Sequence, residues 1–343
     1  MKRTLVRSLK LPVAGVDFTS NDYLGLARSE QLYQDILDVM ATLPKKRNGS
    51  TGSRLLSGNS QLAENTERKL ASIFGSETAL MFDSGYNANL AVLSTLPQRG
   101  DTIIMDELSH ASLKDGARLS LATKWSFRHN DLDDLKKKLH AASGNKWIVA
   151  ESIYSMDGDE CPLDEIISLG DKFGAHLILD EAHSTGLTNH SKKVAVRVCT
   201  FGKAMGVHGA CVCSSAEIKN ELINFSRPFI YTTAPSDHSF VSVSCAFDFL
   251  EANQHLRQQL RSNIDYFKSI APWETSNSQI QVVVIPGREN VASAASSLQA
   301  AGFDVRPILS PTVKEGEERL RICLHTFNTH EEIRGLVDAI KKI

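Results

Sequence analysis

The chain has 343 residues, 42% of them hydrophobic and 23% charged, and at about 150 residues per domain this length predicts two globular domains. Its 38 basic and 40 acidic residues give a net charge of −2, which argues against nucleic-acid or membrane-surface binding. No apolar run approaches the roughly 20 residues of a membrane helix, and the 6 cysteines lack the density of a secreted disulfide framework. The basic N-terminus has no apolar run typical of a signal peptide. We therefore predict a soluble, cytoplasmic protein without nucleic-acid or membrane partners.

Helix and strand patterns alternate regularly from about residue 60. Apolar spacing predicts strands at 78–82, 102–105, 124–127, 147–151, 175–180, 194–200 and 208–213. It predicts helices at 62–73, 87–96, 111–121, 132–140 and 163–173. Repeated β-α-β units of this length are typical of a mainly parallel sheet with helices on both faces. Ligands bind such sheets beyond the carboxyl ends of the strands.

After about residue 235 the pattern changes to that of a smaller α/β unit. A long helical stretch at 236–269 is followed by strands at 279–285, 304–308 and 319–324, with helices at 291–301 and from 330 onward. We therefore divide the chain into an N-terminal segment (1–45), which we expect to be irregular, a large domain (46–235) and a small C-terminal domain (236–343).

Polar residues follow the predicted strands of the large domain, where a ligand would bind. The first strand runs into Ser84, Gly85 and Tyr86 at the start of a helix, where free backbone N–H groups can hold an anion. The later strands lead, in order, to His110, Glu151, Ser155, Asp180, His183, Thr200 and Lys203. Pyridoxal phosphate (PLP) requires a lysine for attachment, an acid beside the pyridine nitrogen and donors for its phosphate. The series therefore predicts a PLP site.

Two motifs in this region have other interpretations. The tetrapeptide from Asp180 to His183 also occurs in helicase ATPases, but the chain has no G-x-x-x-x-G-K-[ST] phosphate loop. Cys211 and Cys213, with His208 nearby, could hold a metal ion. Two thiols on one face of a strand usually pack as small apolar groups instead, so we predict no metal site.

Seven ordered segments over nearly the whole chain resemble the α-oxoamine synthase family of fold-type I PLP enzymes. They are 18–26, 49–59, 108–113, 129–131, 154–159, 180–186 and 200–203. The resemblance implies an α/β fold with a mainly parallel central sheet in the large domain and a smaller C-terminal α/β domain. It also implies a homodimer with the active site at the interface, and condensation of an amino acid with an acyl-CoA or acyl-carrier thioester.

The resemblance also implies roles for individual residues. Lys203 would hold the cofactor and move the Cα proton of the substrate, Asp180 would pair with the pyridine nitrogen, and His110 would stack on the ring. The other cofactor contacts that it implies are Gly85, Tyr86, Ser155, His183, Thr200 and, toward the partner subunit's phosphate, Thr232.

The implied substrate contacts lie in the small domain and near the N-terminus. Arg321 would grip the amino-acid carboxylate with its planar fork, and we prefer it to Arg319, which lies on the same strand face. Thr312 matches the substrate end of the family. Asn21 would approach from the other subunit.

The amino-acid sequences of two segments, 20–25 and 129–131, are most similar to those of family members that join L-alanine to a pimeloyl thioester in biotin synthesis. Members that join glycine to acetyl-CoA are the main alternative, and an aminotransferase would share Lys203 and Asp180. The chain is shorter than the family pattern at 187–199 and before Asp17. Arg7 is the N-terminal candidate for the acyl substrate.

Overall fold

The computed structural model describes residue 9 and residues 14–188 and 194–343. Within them the strands are β1 (Val16–Asp17), β2 (Thr78–Phe82), β3 (Thr102–Asp106), β4 (Thr123–Phe127), β5 (Lys146–Glu151), β6 (Ala175–Asp180), β7 (Val196–Thr200), β8 (Ala210–Ser214), β9 (Ile280–Val284), β10 (Phe303–Asp304), β11 (Arg306–Ile308) and β12 (Arg319–Cys323). The α-helices are α1 (Glu30–Thr42), α2 (Gln61–Ile73), α3 (Gly85–Thr95), α4 (Ala111–Leu119), α5 (Leu132–Ala141), α6 (Leu163–Phe173), α7 (Ala216–Phe225), α8 (Arg227–Ile230), α9 (Asp237–Ala252), α10 (His255–Ile270), α11 (Arg288–Ala300) and α12 (His330–Ile340). A short 3-10 helix covers Leu26–Arg28.

A seven-stranded sheet forms the centre of the fold, with strand order β2-β8-β7-β6-β5-β3-β4. The five strands from β7 to β4 are parallel, whereas β8 runs antiparallel to both of its neighbours. The predicted mainly parallel α/β sheet is therefore confirmed. Because the parallel strands end at one edge, the polar residues that follow them are brought together there.

The two faces of this sheet pack against different layers, as the alternation of side chains along a strand requires. Val198 and Val212 lie in the core cluster that includes residues of α3 and α4. Cys199 and Cys211 point the other way, into the cluster that includes residues of α2 and α9. Helices on both faces bury the sheet, as the sequence predicts.

Several predicted elements have the observed bounds, and others differ. β2, α6 and β6 begin and end where the apolar pattern places them. The opening segment, expected to be irregular, contains α1, whose first turn is capped by the Ser29 hydroxyl accepting from the Leu32 N–H (3.2 Å). The single helix predicted at 236–269 is two helices, because the backbone of Asn253 leaves the helical region.

The small sheet has the order β11-β12-β9 and is antiparallel. The N-terminal segment is attached to this part of the chain, because β1 pairs in parallel with β10. Beyond β1, the Phe18 carbonyl accepts from the Cys323 N–H (2.8 Å), and the Tyr23 carbonyl accepts from the Thr326 N–H (2.9 Å). These contacts hold residues 18–23 against the end of β12. Among the described helices, none has the length and apolar character needed to span a membrane.

Candidate active site

A chain of hydrogen bonds joins Lys203 to Arg321. Lys203 Nζ lies 2.6 Å from His183 Nε2, and His183 Nδ1 lies 2.8 Å from the Tyr23 hydroxyl. Tyr23 donates that hydroxyl hydrogen to Asn21 Oδ1 (2.9 Å), which also accepts from Arg321 Nη2 (3.1 Å). Since the Tyr23 hydrogen is used on Asn21, His183 must donate from Nδ1, and its Nε2 must accept from Lys203. The predicted lysine and arginine therefore face one cleft.

The charge state of this chain favours a reactive amine at Lys203. Burial lowers the pKa of Lys203 to about 8, although the carboxylates of Asp180 and Glu151 oppose the shift. Burial also lowers the pKa of His183 well below its usual range, and the Lys203 charge lowers it further. A neutral His183 and a partly neutral Lys203 are consistent with nucleophilic attachment of a carbonyl cofactor, which requires a free amine.

Asp180 is a buried carboxylate at the end of β6 with two donors. Its Oδ1 accepts from the Ala182 N–H (2.8 Å), and its Oδ2 accepts from Asn89 Nδ2 (2.7 Å). Asn89 also donates to the Ser112 hydroxyl (3.0 Å), which lies 2.8 Å from His110 Nδ1. Asp180 and His110 are therefore linked across two helices. Sequence reasoning missed Asn89, and its only signal was an amide within the apolar run of α3.

His110 caps the start of α4, and its backbone is bound by an acid. The ring Nδ1 accepts from the Ser112 backbone N–H (3.2 Å), and the His110 backbone N–H donates to Glu151 Oε1 (2.5 Å). The residue reaches solvent, yet protein atoms crowd the ring, and this desolvation lowers the pKa of His110. Burial raises the pKa of Glu151 to about 8, and the Asp180 charge adds to the shift. His110 is therefore set up as a neutral imidazole, suited to contact an aromatic ring.

The predicted phosphate site lies at the start of α3. Ser84 caps this helix by accepting from the Asn87 N–H (3.3 Å), and Gly85 is its first residue. A Cβ at Gly85 would collide with the Thr200 hydroxyl, so only glycine lets β7 approach the helix start this closely. Backbone N–H groups and a hydroxyl then face the same space, as an anion requires. Tyr86 beside them is 43% exposed.

These residues fit PLP for two reasons. Their side chains and backbone N–H groups supply the amine, the carboxylate and the phosphate donors that PLP requires, and Gly85 leaves open a space beside Thr200 that a Cβ would fill. Lys203 would hold the cofactor covalently, Asp180 would pair with its pyridine nitrogen, and Gly85 and Thr200 would hold its phosphate. His183 lies within hydrogen-bond distance of Lys203 and would bond beside the attached ring, as predicted for it. These individual roles remain predictions.

The two arginines of β12 have different partners. Arg321 Nε donates to the Ser155 carbonyl oxygen (2.6 Å), and Arg321 also contacts Asn21. Arg319 forms a short ion pair with Asp157 and is 5% exposed. The arrangement supports the preference for Arg321 as the substrate arginine.

The structure describes three of the four other predicted contacts. Asn21 contacts Arg321 of its own chain, because the pairing of β1 with β10 folds the N-terminal segment back onto β12. Its approach to the active site from the other subunit stays a prediction. Thr312 is exposed and Thr232 is half-buried, and their roles stay predictions. Arg7 lies outside the described residues.

A protonated histidine stabilises the loop beneath the cleft. His129 Nδ1 lies 2.9 Å from Asp106, and Nε2 lies 2.6 Å from Asp159. Although burial opposes it, these two carboxylates raise the pKa of His129 to about 10. The same loop carries Ser155, whose carbonyl binds Arg321. His129 therefore holds in place the loop on which Arg321 rests.

Replacing His129 with glutamine is expected to lower the free energy of unfolding by about 3–5 kcal/mol at pH 6, because Asp106 stays buried without a cation. A pKa raised on folding adds stability that is complete below about pH 6.5, the unfolded value, and is lost as pH rises toward about 10. Urea unfolding from pH 6 to 10 should show this loss in the wild type and a flatter profile in the variant. The matched control is the exposed His140→Gln; equal effects of both substitutions would contradict the role of His129.

The fold and this site together define a fold-type I enzyme that depends on PLP. The sequence profile of aminotransferase class I and II matches residues 14–340, and the chain belongs to this family. It is similar to 8-amino-7-oxononanoate synthase of Emericella nidulans, at 37% identity. The alignment is 368 residues long and covers 96% of this chain and 89% of that protein.

Solved structures show the same similarity. A structure of serine palmitoyltransferase (SPT) with PLP superimposes with a TM-score of 0.87 at 27% identity, covering 95% of this chain and 86% of that one. The 8-amino-7-oxononanoate synthase of Francisella tularensis superimposes with a TM-score of 0.81 at 28% identity, covering 96% and 97%. The chain is therefore a PLP-dependent acyltransferase that acts on small-molecule substrates, as predicted.

Proposed function

We propose that the enzyme condenses L-alanine with a pimeloyl thioester, releasing CO2 and the free thiol and forming 8-amino-7-oxononanoate for biotin. The observation that carries the proposal is the hydrogen-bonded chain from Lys203 to Arg321, because it sets an amine and a carboxylate-binding guanidinium in one cleft. The similarity to 8-amino-7-oxononanoate synthases supports the choice of substrates.

Two residues of the chain, Arg321 and Lys203, carry the substrate-binding and proton-transfer steps of the proposed reaction. When bound, PLP supplies an electron-accepting ring that stabilises negative charge on the amino-acid Cα. Arg321 binds the alanine carboxylate and so fixes the Cα–H bond near Lys203. The Lys203 amine takes that proton, helped by its lowered pKa. Cα then bonds to the thioester carbonyl carbon, the thiolate leaves, the carboxylate departs as CO2, and Lys203 returns a proton to Cα.

We further propose that the enzyme is a homodimer whose interface covers the mouth of the cleft. Large apolar and aromatic side chains are left exposed, among them Leu56 (86%), Tyr86 (43%) and Tyr231 (73%). Exposed apolar surface is typical of a protein interface where it forms one patch. Tyr231 adjoins Thr232, the residue predicted to reach the partner's phosphate. Sedimentation velocity tests the assembly, and a monomer at assay concentrations would contradict it.

The substrate pair is tested by measuring thiol release from a grid of substrates. L-alanine, glycine and L-serine are each combined with pimeloyl-CoA, acetyl-CoA and a pimeloyl carrier protein. We expect L-alanine with a pimeloyl thioester to give the highest kcat/KM. A preference for glycine with acetyl-CoA would contradict the biotin assignment but keep the acyltransferase class. Formation of pyruvate without thiol release would instead indicate an aminotransferase.

Arg321→Lys is expected to raise the KM for alanine about 10- to 100-fold, because a charged hydrogen-bonded pair is worth about 1.5–3 kcal/mol and lysine lacks the bidentate fork. The matched control is Arg319→Lys, since Arg319 is already paired with Asp157. Steady-state kinetics with varied alanine should show the KM change in the first variant, whereas the second should mainly lose stability. The reverse pattern would assign the carboxylate to Arg319.

A further inference from the structure

Three buried cysteines form one cluster on the sheet face that packs against α2 and α9. Cys199 on β7 is the register partner of Cys211 on β8, and Cys213 is the partner of Arg197. The Sγ atoms of Cys211 and Cys213 are 3.5 Å apart, and all three Sγ atoms lie within 4.8 Å of one another. His208, the other residue considered from the sequence, is exposed; Cys199 completes the group instead.

The spacing of these sulfur atoms fits a metal ion. A Zn–S bond is about 2.3 Å, so sulfur ligands of one ion lie about 3.7–4.0 Å apart. Side-chain shifts of a few tenths of an ångström would bring the three sulfurs to that spacing. Thiolates select soft or borderline cations such as Zn(II). We propose that Cys199, Cys211 and Cys213 form a three-thiolate site for Zn(II).

The charges around the cluster support an ion there better than plain packing does. Arg197 and Glu181, both buried, form an ion pair (3.0 Å) on the same face. Glu181 Oε2 lies 3.7 Å from Cys199 Sγ and is within reach as an oxygen ligand or proton acceptor. Three thiolates and one divalent cation carry a net charge of −1, and the Arg197 guanidinium is a buried cation close to them. A hydrocarbon-like packing site would not need this polar pair beside it.

Binding of the ion requires thiolate ligands, so the three thiols must lose their protons as it binds. Apparent affinity should therefore rise with pH, because those protons are released to solvent.

The position of the cluster gives the ion a structural consequence. Cys199 directly precedes Thr200, and Lys203 follows on the same turn. An ion shared by β7 and β8 would join the two strands that enclose this turn. We expect it to raise the melting temperature, a readout that does not depend on catalysis.

The test is metal binding by the full-length holoenzyme. Equilibrium dialysis against Zn(II) is followed by elemental analysis, and Cd(II) titration is followed by thiolate-to-metal charge-transfer absorption. We expect one ion per chain, with affinity at least tenfold weaker in Cys199→Ser, Cys211→Ser and Cys213→Ser. The controls Cys161→Ser and Cys245→Ser, which replace buried cysteines outside the cluster, should bind as the wild type does.

X-ray absorption of the Zn(II)-loaded wild type keeps the test decisive if a variant does not fold. Three sulfur neighbours at about 2.3 Å would support the site. Binding of less than one ion per chain, fewer than three sulfur neighbours, or equal affinity in the cluster and control variants would overturn it, and the thiols would then be packing groups.

Discussion

Lys203→Ala is expected to lower the rate of thiol release by at least about 10³-fold while the chain still folds. General acid–base catalysis alone contributes about 10²–10⁴-fold, and this amine would also hold the cofactor. Borohydride should fix the cofactor to the Lys203 peptide of the wild type and to no peptide of the variant. Peptide mapping by mass spectrometry, together with thiol-release kinetics, measures both effects.

A second substitution separates the need for a neutral amine from the need for positive charge. Lys203→Arg keeps the charge and nearly the length, but a guanidinium stays protonated at any pH used. We expect it to be as inactive as Lys203→Ala, because the amine of Lys203, with its pKa lowered to about 8, acts in its neutral form. Lys172→Ala, at an exposed position, is the control. Normal thiol release by either Lys203 variant would remove this residue from the reaction.

The parts of the site carried by local motifs could be predicted from the sequence. Strand ends can be found from apolar runs, and the residues just after them are read directly. Asp180 and Lys203 are found in this way. In the structure the two side chains are close enough to interact, because the Asp180 charge raises the pKa of Lys203 against the lowering effect of burial. The bounds of β6 were also predicted, because the apolar run there ends at Asp180, which is followed by Glu181.

Contacts between distant parts of the chain could not be predicted in this way. Tyr23 and His183 are 160 residues apart. The pairing of β1 with β10, together with the backbone contacts of residues 18–23 near the end of β12, brings them together. Cys199 joins Cys211 through an antiparallel register that no local pattern specifies.

The sequence patterns also did not predict α1, α7 and α8, and for α1 the reason is more local. In α1 the apolar residues lie on several sides: Leu32 and Ile36 are buried, whereas Tyr33 is 65% exposed. Without a single apolar stripe, the helical period is hard to detect. The cap at Ser29 was the available signal, and an isolated serine is too common to decide the assignment.

Asp180→Asn is expected to lower kcat about 10²–10³-fold, the usual effect of removing one fixed electrostatic group from an active site. The amide keeps the size of the side chain but not its charge, so it cannot hold a proton on the pyridine nitrogen. It also places a donor against the donor of Asn89, since Asp180 Oδ2 now accepts from that amide (2.7 Å). The loss could therefore come from charge or from a broken hydrogen bond.

The double variant Asp180→Asn with Asn89→Asp separates these two causes. It reverses donor and acceptor between the two side chains, so their hydrogen bond re-forms and the total charge is unchanged. We expect urea unfolding to show recovery of the roughly 1.5–3 kcal/mol that a charged hydrogen bond contributes. We expect kcat to stay low, because the carboxylate is then on α3 and no longer at the end of β6. If kcat recovered together with stability, Asp180 would be a positioning residue, and its charge would not be what the reaction needs.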